Sequence, residues 1–159
     1  MIFERIKSEG IAHNSYFIGS GSDAAVIDPR RDCQIYTDLA QQHGLKIKHI
    51  FETHRNEDYV IGSLELNRLT GAEIYHGPGL DWKYGNILKD GQVFQIGNLR
   101  LIAIHTPGHT DESMSYAVVD LSSGKTTVMV FTGDTLFVGD VGRTDLCGRQ
   151  EAPLSLIHI

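Results

Sequence analysis

Three apolar segments of the sequence each end in a short polar turn that carries a histidine or an aspartate. His54, His109 and Asp134 each follow such a segment closely. Short apolar segments bounded by turn residues are typical of buried strands, and layered folds tend to place their sites where strands end. The sequence therefore predicts a layered fold with one site built from three separate turns.

The other elements mix hairpins with two helices. Turn residues at Gly19–Asp23, Gly97–Asn98 and Ser122–Gly124 separate neighbouring strand patterns, which predicts hairpins. Helical spacing of apolar residues predicts one helix over residues 32–43 and a second helix that ends at Gly71. Hairpins combined with helices indicate the α/β fold class.

The second helix carries two further expectations. Its core-facing residues are predicted to be Val60, Ile61, Leu64 and Leu69. Asn56 is a candidate N-cap, which would place Glu57 and Asp58 in the first turn, where the helix dipole favours acidic side chains. Residues 80–91 show no regular pattern and are predicted to form an irregular loop.

Composition and charge exclude several classes of protein. The chain has 159 residues, a formal net charge of −6 and 41% hydrophobic residues, as expected of one globular domain. No apolar run approaches the ~18 residues of a membrane span, and the acidic balance argues against nucleic acid or an anionic membrane as the main partner. Cys33 and Cys147 are too few for a disulfide scaffold, so a reducing cytoplasm is expected.

The last six residues differ in character from those before them. Leu154–Ile159 follow a polar stretch and are similar to one translation of a widely used sequencing-library adapter. We therefore expect residues 154–159 to be a non-native tail and residues 1–153 to be an incomplete domain. The alternative is a natural short terminal strand.

The three turns suit metal binding. Pro107 restricts φ and Gly108 can adopt positive φ, so the turn can hold His109 at a defined angle. Gly133 removes a side chain that would crowd an ion beside Asp134. Two imidazoles and one carboxylate leave coordination positions open, which suits Fe(II) and also catalytic zinc.

The turns also carry a family resemblance. The segments Thr53–Asp58, Thr106–Thr110 and Phe131–Phe137 resemble the successive metal motifs of the metallo-β-lactamase superfamily. Val141–Leu146 is similar to its glyoxalase II and persulfide dioxygenase branch. The resemblance implies an αββα sandwich, of which this chain would be the N-terminal portion only.

One motif departs from the family pattern. The family's first motif is His-x-His-x-Asp-His, whereas this sequence has Asn56 and Tyr59 in place of two of its histidines. Both are poor zinc ligands at neutral pH, so a two-zinc site is not expected. The resemblance implies a single Fe(II) held by His54, His109 and Asp134, as in persulfide dioxygenases.

The implied function is therefore a mononuclear iron dioxygenase of sulfur metabolism. It would use O2 to oxidise a glutathione-type persulfide to sulfite and thiol. Asp58 would orient a ligand or a metal-bound water, unless it serves only the helix terminus, and Tyr59 would be a proton donor or a packing residue. Arg55 and Arg143 would attract substrate carboxylates or remain solvated.

Two alternatives and one partner accompany this interpretation. The chain could be a zinc-dependent thioester hydrolase of the glyoxalase II type, in which a metal-bound hydroxide attacks the acyl carbon. It could also be a non-catalytic module of a sulfur-transfer protein. The resemblance to rhodanese-fused members implies a rhodanese domain in the full-length chain.

Overall fold

The computed structural model describes residues 1–56 and 59–146. The helices are α1 (Gln34–His43) and α2 (Ser63–Thr70), and Gly133–Thr135 forms a 3-10 turn. The strands are β1 (Ile2–Lys7), β2 (Asn14–Ser20), β3 (Asp23–Ile27), β4 (Lys46–Phe51), β5 (Glu73–His76), β6 (Asn86–Ile87), β7 (Val93–Ile96), β8 (Leu99–His105), β9 (Met114–Asp120), β10 (Thr126–Phe131), β11 (Leu136–Phe137) and β12 (Asp140–Val141).

Most strands belong to two sheets. The first sheet has the order β1-β2-β3-β4-β5-β6, antiparallel from β1 to β3 and parallel from β3 to β6. The second sheet has the order β10-β9-β8-β7 and is antiparallel throughout. β11 and β12 form a separate two-stranded hairpin.

Two apolar clusters set the layer order. One cluster lies between the sheets, where Ile27 and Phe51 of the first sheet pack with Leu101 and Tyr116 of the second. The other lies between the first sheet and the helices, and includes Tyr36 of α1 and Leu66 of α2. The described layers are therefore helices, first sheet and second sheet, which confirms the predicted α/β class.

In the second sheet, β8 alternates between buried and less buried side chains. Leu99, Leu101 and Ala103 of β8 are fully buried, whereas Arg100 between them is exposed. Alternate side chains of a strand point to opposite faces, so β8 presents one face to the core between the sheets.

The core face predicted for α2 is wrong. Val60, Leu64 and Leu69 are 66%, 55% and 49% exposed, and Leu66 is the apolar residue that α2 buries completely. The helix begins at Ser63, after Gly62, and a Cβ at Gly62 would lie 2.1 Å from the carbonyl oxygen of Arg30. The small residues at the helix start allow this close approach, which turns the Leu66 side toward the first sheet.

Two further expectations about local structure are also wrong. The residue that precedes α2 is Gly62, so Asn56 does not cap this helix, and its amide instead donates to the carbonyl of His54 at 3.3 Å. The predicted irregular loop contains β6, which pairs with β5 in parallel. A two-residue strand is too short to leave a periodic pattern in the sequence.

Within the described residues, no helix is both long and apolar enough to cross a membrane.

Candidate metal centre

The ends of four strands meet at one edge of the layers. β3 and β4 are parallel, so Asp28 and the segment Glu52–His54, which follow them, lie side by side. β8 and β10 are both antiparallel to β9, so their carboxyl ends also share an edge. The N–H of Met114, at the start of β9, donates to the carbonyl of Thr53 at 2.7 Å, and this bond joins the edges of the two sheets.

The structure brings His54, His109 and Asp134 together at this edge. Nε2 of His54 lies 3.9 Å from Oδ2 of Asp134, and Nε2 of His109 lies 3.7 Å from the same oxygen. One ligand atom from each residue lies within 4.8 Å of the other two. Atoms that each bind one metal at about 2.1 Å are at most about 4.2 Å apart, so both measured distances fit a shared cation.

His54 is oriented from the side opposite Asp134. Its Nδ1 lies 3.0 Å from the hydroxyl of Thr53, and that hydroxyl donates to Oδ2 of Asp28 at 2.8 Å. The His54 side chain is buried, so this contact is shielded from solvent. With Nδ1 engaged, Nε2 is the nitrogen that faces Asp134.

His109 is oriented in the same manner by main chain. Its Nδ1 lies 2.9 Å from the carbonyl oxygen of Arg143; because a carbonyl can only accept, Nδ1 donates and Nε2 keeps its lone pair. A Cβ on Gly142 would lie 1.7 Å from the carbonyl oxygen of Asp134 and 3.2 Å from Nδ1 of His109. Only glycine at 142 allows this segment to pack against both turns.

Asp134 lies on the 3-10 turn that follows β10. Thr135, beside it, is buried and donates to the carbonyl of Thr106 at 3.3 Å, which ties this turn to the start of the His109 turn. The Asp134 side chain itself is 44% exposed. The cluster is therefore buried on the side of His54 and exposed to solvent on the side of Asp134.

The donor set fits a catalytic rather than a structural metal. Two imidazole nitrogens and one carboxylate oxygen suit Fe(II) or zinc, and three protein ligands leave positions open for other molecules. Both imidazoles use Nδ1 for a hydrogen bond to a neighbouring group, the arrangement that usually orients metal-binding histidines. The exposed side of Asp134 gives a ligand access.

Tyr59 is partly buried and packs against His13. Its ring is 4.0 Å from that of His13, measured between centroids. Burial raises the pKa of its phenol above the ordinary value of 10, and the charges of Asp28 and Asp134 raise it further. Tyr59 is therefore protonated at neutral pH, so its hydroxyl can donate a hydrogen bond. Asp58, predicted to act beside it, lies outside the described residues.

Both predicted substrate-binding arginines are exposed, but each has a main-chain role. The Arg143 side chain pairs with Asp145 at 2.7 Å, while its carbonyl orients His109. The N–H of Arg55 donates to the buried carboxylate of Glu112 at 3.0 Å. Their roles toward a substrate stay predictions.

Sequence reasoning missed two buried carboxylates at this edge. Burial raises the pKa of Asp28 to about 7, against two lowering hydrogen bonds from Thr53. Burial also raises the pKa of Glu52 to about 7, and the phenol of Tyr84 donates to its carboxylate. The only signal in the sequence is that each acidic residue directly follows an apolar strand. That signal is weak, because the sequence does not show which residues lie beside it in the fold.

Comparisons with known proteins identify the family. Residues 9–157 match the family described as the Metallo-beta-lactamase superfamily. A cytoplasmic hydroxyacylglutathione hydrolase from Arabidopsis thaliana is 35% identical over 127 residues, which cover 78% of this chain and 48% of that protein.

Two crystal structures resemble the fold closely. A metallo-beta-lactamase from Staphylococcus aureus has a TM-score of 0.85 and 33% identity, covering 93% of this chain and 47% of that one. ETHE1 from Myxococcus xanthus has a TM-score of 0.79 and 30% identity, covering 93% and 64%.

The chain therefore belongs to the metallo-beta-lactamase superfamily, as its motifs predict. Members of this superfamily bind metal ions, and the His-His-Asp cluster is the corresponding group here. The chain spans about half the length of the Arabidopsis and Staphylococcus relatives.

Proposed function

We propose that the protein is a mononuclear iron dioxygenase that oxidises a low-molecular-weight persulfide. The proposal rests on two positions of the first motif. They hold histidines in two-metal members, and here they hold Asn56 and Tyr59. The Asn56 amide donates to the carbonyl of His54, and the Tyr59 ring packs against His13. A ligand set for one ion remains, in His54, His109 and Asp134.

The protein's part in this chemistry is placement. Bound Fe(II) would supply the redox chemistry by activating O2 beside the substrate sulfur. His54 and His109 present Nε2 because their Nδ1 atoms are engaged. Asp134 adds a negative charge that partly neutralises the cation and leaves one side open.

The overall reaction would balance without another reductant. One persulfide, one O2 and one water give one thiol, one hydrogen sulfite and one proton. The outer sulfur is oxidised, O2 is reduced, and the inner sulfur leaves as the thiol. Tyr59, protonated at neutral pH, would donate a hydrogen bond to the departing thiolate.

The remaining polar groups would recognise the thiol carrier. The exposed guanidinium groups of Arg55 and Arg143 would attract the carboxylates of a glutathione-type carrier, and Asp58 would orient a ligand or water. A rhodanese domain fused to this one would handle the same sulfane sulfur. These partners, with a cytoplasmic location, remain part of the proposal.

The second candidate is a metal-dependent thioester hydrolase. The similarity to hydroxyacylglutathione hydrolases favours it. Its reaction would use a metal-bound hydroxide, and the substitutions at Asn56 and Tyr59 would weaken a second zinc position. A non-catalytic module would bind no metal.

The test compares two substrates on the complete protein that carries this sequence. With Fe(II), glutathione persulfide should drive O2 consumption, and His109→Ala should reduce that rate to background. S-lactoylglutathione should not be hydrolysed. Hydrolysis with zinc and no persulfide-dependent O2 uptake would establish the second candidate, and neither activity would establish the non-catalytic one.

A further inference from the structure

Asp28 is held in an unusual conformation at the end of β3. Its φ is +47°, a region that residues other than glycine rarely adopt. Its N–H donates to the carbonyl of Phe51 at 2.8 Å, and its carbonyl accepts from Nε2 of His13 at 3.0 Å. Such conformations persist where surrounding contacts enforce them, and they cluster at functional sites.

The Asp28 carboxylate receives two hydrogen bonds from one residue. Oδ1 accepts from the N–H of Thr53 and Oδ2 accepts from its hydroxyl, both at 2.8 Å. A hydroxyl has one proton, so a Thr53 hydroxyl that donates to Asp28 can only accept from His54. Nδ1 of His54, at 3.0 Å, must then carry the proton.

We propose that Asp28 is a positioning residue for His54. Through the Thr53 hydroxyl it selects the Nδ1–H tautomer and the ring orientation, which leaves the Nε2 lone pair for the cation shared with His109 and Asp134. The inference rests on the metal site of the proposed function. It assigns that site a supporting carboxylate, which acts through Thr53 and His54 and does not touch the ion.

The backbone at Gly133 packs closely against the Thr53 side chain. A Cβ on Gly133 would lie 2.5 Å from Oγ1 and 2.6 Å from Cβ of Thr53. The turn that carries Asp134 therefore rests directly on the hydroxyl that orients His54. Two of the proposed ligands are coupled through this one side chain.

Glu52 supplies a matched control. It is as buried as Asp28 and lies in the same segment as Thr53, but its carboxylate accepts from the phenol of Tyr84. If any buried carboxylate at this edge served equally well, Glu52→Gln would have the same effect as Asp28→Asn.

The experiment reads the His54 tautomer and the metal affinity separately. Long-range 1H–15N NMR of the metal-free chain at pH 8.5 should show the Nδ1–H form of His54 in the native chain, in Thr53→Ser and in Glu52→Gln. Thr53→Val and Asp28→Asn should shift it toward Nε2–H. Zn²⁺ affinity, measured against a competing chelator, should fall about 10- to 100-fold in the last two variants.

The outcomes separate this inference from the metal site itself. An unchanged tautomer and Zn²⁺ affinity within twofold in Thr53→Val and Asp28→Asn would overturn the inference, as would an equal loss in Glu52→Gln. Far-UV circular dichroism checks folding, and Asp28→Asn alone decides if Thr53→Val does not fold. Zn²⁺ affinity unchanged in His54→Ala would instead refute the proposed site, whatever the tautomer.

Discussion

At the scale of single residues, the site depends on positions that have no side chain. Gly133 has a φ of +50° and lies against Thr53, and Gly142 lies against the carbonyl of Asp134. Neither glycine touches a ligand through a side chain of its own, yet each allows two ligand turns to meet.

Alanine at Gly133 should therefore impair metal binding. The new Cβ would overlap Thr53, and the positive φ adds a conformational cost of about 1–2 kcal/mol. We expect Gly133→Ala to lower Zn²⁺ affinity at least about 10-fold. Gly139→Ala is the control, because φ there is +80° but nothing lies within 4 Å of the added Cβ. Equal affinities for the two variants would show that contact with Thr53 is unimportant.

At the scale of elements, the sequence predicts strands better than the face of a short helix. The turns at Gly97–Asn98 and Ser122–Gly124 predicted the two outer strand pairs of the second sheet, because a hairpin is specified by a short local turn. The face of α2 was not predictable, because the contact of Gly62 with Arg30 decides it, and that contact is remote in sequence.

Truncation of α2 side chains should show which face is buried. Leu66→Ala should lower the free energy of unfolding by about 2–5 kcal/mol, since it removes a fully buried side chain. Leu64→Ala, on the exposed side of the same helix, should change it by less than about 0.5 kcal/mol. Urea denaturation measures both, and a larger loss for Leu64→Ala would contradict the observed orientation.

The same contrast applies to the site. His54, His109 and Asp134 could be predicted because each lies in a turn with its own local pattern. Asp28 could not, because its importance comes from the parallel pairing of β3 with β4, which places it beside Thr53. Gly142 acts through a contact with a turn several residues earlier in the chain.

At the scale of the whole molecule, the second sheet has an apolar outer face. A cross-strand row runs through Val93, Ile102, Ala117 and Val130. Its outer members, Val93 and Val130, are 53% and 42% exposed, as is Val128 at 42%. Both described helices pack on the other sheet.

This face should bind apolar dyes. We expect the chain to enhance the fluorescence of an anilinonaphthalene dye, and the double variant Val128→Thr and Val130→Thr to reduce that enhancement. Stability should change little, since both side chains are partly exposed already. The control is Val60→Thr, at an exposed position away from this face. It should bind dye as the native chain does. Undiminished binding by the double variant would place the dye elsewhere.

Global stability should also respond to the buried imidazole of His13. Burial lowers the pKa of His13 below 6.5. The unfolded chain therefore binds a proton at His13 more readily than the folded chain does, and acidification favours unfolding. The native chain should therefore lose stability relative to His13→Asn as pH falls from 7 to 5. Urea denaturation of the metal-free proteins measures this difference, and a constant difference across the range would contradict the assignment.

The most direct test of the central claim is a count of bound metal. Equilibrium dialysis against Fe(II) without oxygen, followed by elemental analysis, should give about one ion per chain. His54→Ala, His109→Ala and Asp134→Ala should each abolish that binding while far-UV circular dichroism stays unchanged. Two ions per chain, or one ion retained in all three variants, would show that these side chains do not share a single cation.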